Sequence, residues 1–157
     1  MTDARPRIGC RIATAVFLAA IMLLFLAGCG KRIDYELPEK PIEFHPGTFV
    51  NPADPDDTYQ SIEYNERTYI GYGTLNGSID GNDVGKCLGY AILDGVAVKD
   101  VRIFLLNADP GANYLYLVQI FPDSFMNQPF FLRAFDTRGK TIDTPPYIDK
   151  LDYPFWK

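Results

Sequence analysis

Histidine is almost absent from this chain: His45 is the only one in 157 residues. Serine is nearly as scarce, and Ser61, Ser78 and Ser124 sit in no Gly-x-Ser-x-Gly elbow. A Ser–His–Asp triad therefore has little to be built from. Three cysteines are present, Cys10, Cys29 and Cys87. Past residue 29 only Cys87 remains, so that stretch holds no internal disulfide and must be stabilised by packing. One histidine and one thiol do not make the usual nitrogen and sulfur set for zinc. A Cys87–His45 dyad would need a nearby base or a helix N-terminus for the thiol. Cys87 instead opens an apolar stretch, which reads as core. No GxxxxGK[ST] phosphate loop occurs. Past residue 29 there is no long apolar run and no cluster of Lys and Arg.

The long apolar run lies at the N-terminus. Arg5, Arg7 and Arg11 precede Ile12–Gly28, a stretch with no charged residue that ends in Leu26-Ala27-Gly28-Cys29. A basic start, an apolar middle and small residues at the end follow the order of a secretory signal. The final tetrapeptide resembles the bacterial lipobox. That resemblance implies diacylglycerol, of palmitate type, on the Cys29 thiol and cleavage between Gly28 and Cys29. The other reading is an uncleaved membrane helix, for which the run is near the lower limit of about 17 residues. Both readings place the remainder on the outer face of a cell membrane, extracytoplasmic and lipid-anchored in the first case. The expected division is a signal peptide over 1–28, a proline-rich tether over 29–58 and a β domain over 59–157.

Residues 29–157 carry 12 Lys and Arg against 19 Asp and Glu, a net charge of −7. Such a surface is a poor match to nucleic acid or to anionic headgroups, both of which select basic clusters. The membrane is then held through lipid. Aromatics are plentiful: all ten Tyr, nine Phe and Trp156 lie past residue 29.

Tyr-rich, β-branched segments broken by Gly, Pro, Asn and Asp read as strands. Pro38, Pro41, Pro46, Pro52 and Pro55 argue against helix in the tether. Ile42–Phe44 and Thr48–Val50 are expected as short edge strands, and Asn51–Asp57 as an acidic loop. Ser61–Tyr64 and Arg67–Ile70 flank Asn65-Glu66 as a hairpin. Val84–Gly89 is expected to form a helical turn opening into a strand at Tyr90–Leu93, with a turn at Asp94-Gly95. Strands follow over Asp100–Leu106, Tyr114–Phe121 and Pro129–Phe135. A short helix is expected around Asp149–Asp152, with Tyr153, Phe155 and Trp156 docking the end of the chain. The fold class is mainly β: a small antiparallel β-barrel or sandwich with one or two short helical turns, after the N-terminal signal helix.

The ordered set Ile62-Glu63-Tyr64-Asn65, Thr68-Tyr69, Tyr72-Gly73, Val84-Gly85-Lys86, Leu88-Gly89, Val101, Phe104, Asn107, Asp109-Pro110 and Tyr114-Leu115 resembles a pattern in small lipoproteins of clostridia-like Gram-positive bacteria. It covers roughly residues 60–120. It implies a surface β domain and carries over no activity.

Three further patterns bear on function. Asn76-x-Ser78-x-Asp80-Gly81, with Asp83, copies the first half of a calcium loop, but its twelfth place is Cys87 where a bidentate Glu belongs; Asp54, Asp56 and Asp57 are nearby alternatives, and a solvated turn is the plainer reading. Tyr64, Tyr69 and Tyr72 are candidate partner-facing aromatics, set against the commoner fate of strand tyrosines as half-buried core. Paired carboxylates in a cleft would make a small hydrolase. No cofactor is indicated. The expected function is a non-catalytic binding module at the cell envelope, for an envelope protein or cell-wall glycan. The alternatives are a small carboxylate-dependent envelope hydrolase and a purely structural envelope component.

Overall fold

The computed structural model describes residues 31–77, 79–120, 130–150 and 154–156. The expected signal peptide over 1–28, with Leu26, Ala27 and Gly28, and also Cys29 and Ser78 lie outside them. Among the described residues the chain is mainly β, and no helix is long and apolar enough to cross a membrane. The strands are β1 (Ile42–Phe44), β2 (Gly47–Asn51), β3 (Asp54–Tyr64), β4 (Arg67–Gly73), β5 (Val84–Leu93), β6 (Val96–Leu106), β7 (Tyr114–Gln119) and β8 (Phe130–Ala134). Two 3-10 turns, Phe135–Thr137 and Pro154–Trp156, complete the set.

Two hairpins form where the sequence tolerates positive φ at both turn positions. Asn65 and Glu66 have φ of 48° and 60°, and Asp94 and Gly95 have 50° and 77°. This is the pattern of the primed turns whose twist matches antiparallel strands. Tyr64 consequently faces Arg67, and Leu93 faces Val96.

All eight strands join one curled mixed sheet, a half-barrel, in the order β1-β5-β6-β7-β8-β4-β3-β2. Every pairing is antiparallel except β1 with β5, which is parallel. The expected antiparallel barrel or sandwich is thus refined to a half-barrel with one parallel edge. Consecutive strands β1 and β2 occupy opposite edges, yet only His45 and Pro46 separate them. Three Cα steps span at most about 11 Å. The sheet must therefore curl until its two edges meet at this corner.

The curl creates an inner and an outer face. Inside, Phe44, Ile62, Tyr69, Leu88, Ala91, Val101, Ile103, Leu115, Leu132 and Ala134 form one cluster. The Phe44 ring on one edge strand lies 6.3 Å from that of Tyr64 on β3, near the other edge, which marks this face as concave. Outside, Tyr72, Phe104, Tyr114, Tyr116 and Phe131 form a second cluster, covered by Ile33, Tyr35 and Leu37 before the sheet and by Ile142, Tyr147, Ile148, Phe155 and Trp156 after it. Each fully buried side chain of this size contributes roughly 1.5–3 kcal/mol. Both clusters lie wholly within Arg32–Lys157, which forms its own compact unit.

Three expectations are corrected. Residues 31–58 are more than a tether: the expected edge strands are present as β1 and β2, but Ile33, Tyr35 and Leu37 also pack on the core and β3 begins at Asp54. No boundary exists at residue 58, because β3 runs through it. The acidic stretch Asn51–Asp57 turns only at Pro52-Ala53 and then enters β3. Pro55 is accommodated because the β2–β3 register jumps from Thr58 to Asp54 there, so its missing N–H removes no ladder bond. Val84–Gly89 forms no helical turn. It is the first half of β5, whose three register shifts against β6 break the two-residue alternation.

Candidate functional site

The concave face holds a cavity of about 330 Å³ that is open to solvent on one side. Its wall is built from inward positions on five strands: Ile62 on β3, Ala91 on β5, Val101 and Ile103 on β6, Leu117 on β7 and Leu132 on β8. Ala91 and Gly71 leave the space, since neither fills its inward position with a long side chain. Gly71 admits the Phe130 ring instead, which lies 3.1 Å from where a Cβ would sit. An eight-stranded curl is about the size that either fills with side chains or holds one small ligand. The volume falls at the low end of the range of roughly 300–1,000 Å³ for ligand pockets.

A second cavity of about 570 Å³ lies at the corner where the edges meet. His45, Gly47, Thr48, Asp94 and Gly95 line it, and it shares Pro46, Gln60 and Leu93 with the inner cavity. The two adjoin as an apolar interior and a more polar mouth. Leu93 and Val96 flank the Asp94-Gly95 turn at 44% and 64% exposed, giving the mouth an apolar lip.

The candidate aromatics do not gather on a surface. Tyr69 and Tyr72 are buried, on opposite faces of the sheet, so a partner-facing role for them is corrected. The Tyr69 hydroxyl donates to the Ala112 carbonyl at 2.6 Å, and burial pushes its pKa up to about 12. The Tyr72 ring stands edge-on to Tyr114 and Trp156, at 5.2 and 5.6 Å. Tyr64 is half-buried against Phe44 and Tyr69. The alternation that brought these tyrosines forward is what buries them, because each face of β4 carries a core cluster, Tyr69 in the inner one and Tyr72 in the outer one.

In the Asn76–Asp83 loop, the Asp80 carboxylate accepts the Asn82 N–H at 2.8 Å, and the Asp80 carbonyl accepts the Asp83 N–H at 2.9 Å. Asp57 accepts from Asn51 and from the Tyr59 hydroxyl. These carboxylates serve their own turns. Among the described residues no three His, Cys, Asp or Glu converge as a metal set. Cys87 is buried in the outer cluster, and burial raises its thiol pKa. His45 lines the corner cavity, so the fold does not bring these two together.

Gly89, Asn107 and Asp109 hold the fold, with Arg67 beside them. Gly89 faces Ile42 of β1, and a Cβ there would overlap the Ile42 backbone. Asn107 donates to the carbonyls of Asn82 and Val84. Buried Asp109 accepts the Tyr114 N–H at 2.6 Å and the Asn113 amide at 2.9 Å, fixing the β6–β7 turn. Arg67 clamps that turn through the Gly111 and Ala112 carbonyls and pairs with Asp136 at 2.9 Å.

Arg133, which the sequence reading passed over, is buried at 6% exposure. Its guanidinium lies over the rings of Trp156, Tyr72 and Tyr114, at 4.7, 5.5 and 5.9 Å. It donates to the Thr137 hydroxyl and to the Thr137 and Lys140 carbonyls. Among the described residues no carboxylate pairs with it. The available signal was a lone arginine between Leu132 and Ala134 in an apolar strand. Comparison of the chain with protein-family models, with curated proteins and with solved structures finds no match.

Proposed function

We propose that the chain is exported, anchored in the cell membrane by lipid on Cys29, and acts as a non-catalytic binding module whose site is the concave face of its sheet. The anchor rests on the uncharged run ending in Leu26-Ala27-Gly28-Cys29. The binding role rests on one observation above all: an apolar cavity of about 330 Å³ inside the curl, opening onto a polar corner. A concavity of this size lined mainly by apolar side chains is the usual form of a small-molecule site.

The lining favours binding over carboxylate hydrolysis. A glycosidase needs two carboxylates roughly 5–9.5 Å apart in a cleft, whereas the described lining of this cavity is mainly apolar and includes no carboxylate. The burial of Tyr69 and Tyr72 removes the stacking platform on which a cell-wall glycan would depend and favours a small ligand.

Two measurements test the proposal. Cells given an alkynyl fatty acid are expected to label the wild-type chain and not Cys29→Ser; equal labelling would refute the anchor. For the Arg32–Lys157 unit, a small apolar probe such as an alkylbenzene is expected to raise the melting temperature. A hundredfold excess over Kd is worth about 2.7 kcal/mol. Failure of every apolar probe to shift the melt would remove the binding reading.

A further inference from the structure

We infer that the ligand is a single-chain amphiphile with a non-anionic, hydrogen-bonding head: its chain lies in the inner cavity and its head at the corner mouth. This rests on the binding reading above.

Size sets the tail. An apolar cavity of about 150 Å³ holds one benzene, so the roughly 330 Å³ here has room for a chain of about a dozen carbons. A branched or two-chain lipid exceeds that space. The walls are Ile62, Val101, Ile103, Leu117 and Leu132, which offer the tail dispersion contacts and no polar competitor. Leu93 lines both cavities and so carries the apolar surface outward from interior to lip.

Chemistry at the mouth sets the head. Gln60 lines both cavities, and Thr48, His45 and Asp94 line the outer one. An amide, a hydroxyl and an imidazole can each donate to or accept from a hydroxyl or amide head. Charge excludes an anion. Among the described residues of the outer lining the only carboxylate is Asp94 and there is no Lys or Arg, and residues 29–157 carry −7. An anionic head brought to that rim meets repulsion with nothing to offset it.

The test compares 1-dodecanol, dodecane, dodecanoate and dodecylamine on the Arg32–Lys157 unit, followed by methyl NMR at Ile62, Ile103 and Leu132. Dodecanol is expected to shift those methyls saturably and to bind roughly fivefold more tightly than dodecane, the factor that one net hydrogen bond supplies. Dodecanoate is expected to bind more weakly than the alcohol. Exposed Gln60→Leu should abolish the alcohol's advantage while leaving dodecane unchanged. Ala91→Leu, which narrows the cavity, should weaken both. Equal binding of alcohol and alkane, or tighter binding by the acid than by the alcohol or the amine, would overturn the amphiphile inference while leaving the cavity as a binding site. If none of the four binds, both readings fall.

Discussion

Replacing Gly89 by alanine tests how the curl is closed. Edge strand β1 lies against β5 with Ile42 opposite Gly89 and Phe44 opposite Ala91. An alanine methyl at 89 would overlap the carbonyl oxygen, nitrogen and carbon of Ile42, all backbone atoms that cannot swing aside. The strand must lift away. Phe44, 1% exposed, would then lose its place in the inner cluster, at roughly 1.5–3 kcal/mol for a side chain of that kind. A lost ladder bond adds about 1 kcal/mol. Against this, alanine restricts the unfolded chain and returns roughly 0.4–1 kcal/mol. The net expectation is a loss of about 2–3 kcal/mol by urea unfolding of the Arg32–Lys157 unit. Gly95→Ala is the control. Its φ of 77° imposes strain, but nothing lies within 4 Å of the new methyl, so its cost is only the left-handed penalty of roughly 1–2 kcal/mol. Methyl signals of Ile62 and Leu132 should also shift in Gly89→Ala and stay in place in Gly95→Ala. A Gly89→Ala protein as stable as wild type would refute the close passage of β1 over β5.

Three further outcomes are expected. Tyr69 and Tyr114 are each held up to about 12, mainly by burial, against an ordinary value of 10.0. A raised pKa favours the neutral form in the folded state, so their contribution to stability is complete below pH 10 and is lost as pH rises from 10 through about 12. Tyrosinate absorbance should therefore rise in two phases, and one phase near pH 10 for all ten tyrosines would contradict their burial. Cys87 is buried with its thiol pKa raised, so an aromatic disulfide reagent should modify it at the rate of global unfolding rather than at once. Arg133→Lys keeps the charge but loses the planar fork that bonds both Thr137 oxygens and Lys140. It should cost about 2 kcal/mol in urea unfolding, because buried carbonyls are left unpaired; a neutral result would mean that Arg133 is not a structural tie.

Local features were legible in the sequence where local chemistry decides them. Asn65-Glu66 and Asp94-Gly95 announced their hairpins because few residues accept positive φ. Strands β6, β7 and β8 were visible as apolar, β-branched and aromatic runs between turn signals. Misreadings arose where a distant partner overrides the local pattern. Bulges in β5 scrambled its alternation, and Gly89 there answers to β1, more than forty residues earlier in the chain. Prolines in residues 38–55 looked like a spacer, yet they fall in connections and at a register jump, where a missing N–H does no harm. The cavity had no sequence signal at all. Ile62, Ala91, Ile103 and Leu132 are ordinary inward positions, and the space among them exists only because β1 and β2 sit at opposite edges of one sheet. Tyr69 and Tyr72 misled because a sheet with a core cluster on each face buries both members of an alternating pair.

The central claim is that the interior of the curled sheet is an accessible apolar site. Crystals of the Arg32–Lys157 unit pressurised with xenon test it most directly, because dry apolar cavities take up xenon. Xenon is expected among Ile62, Ile103 and Leu132, and Ala91→Leu should reduce its occupancy. Absence of xenon from this space, with side chains closed across it, would contradict the claim.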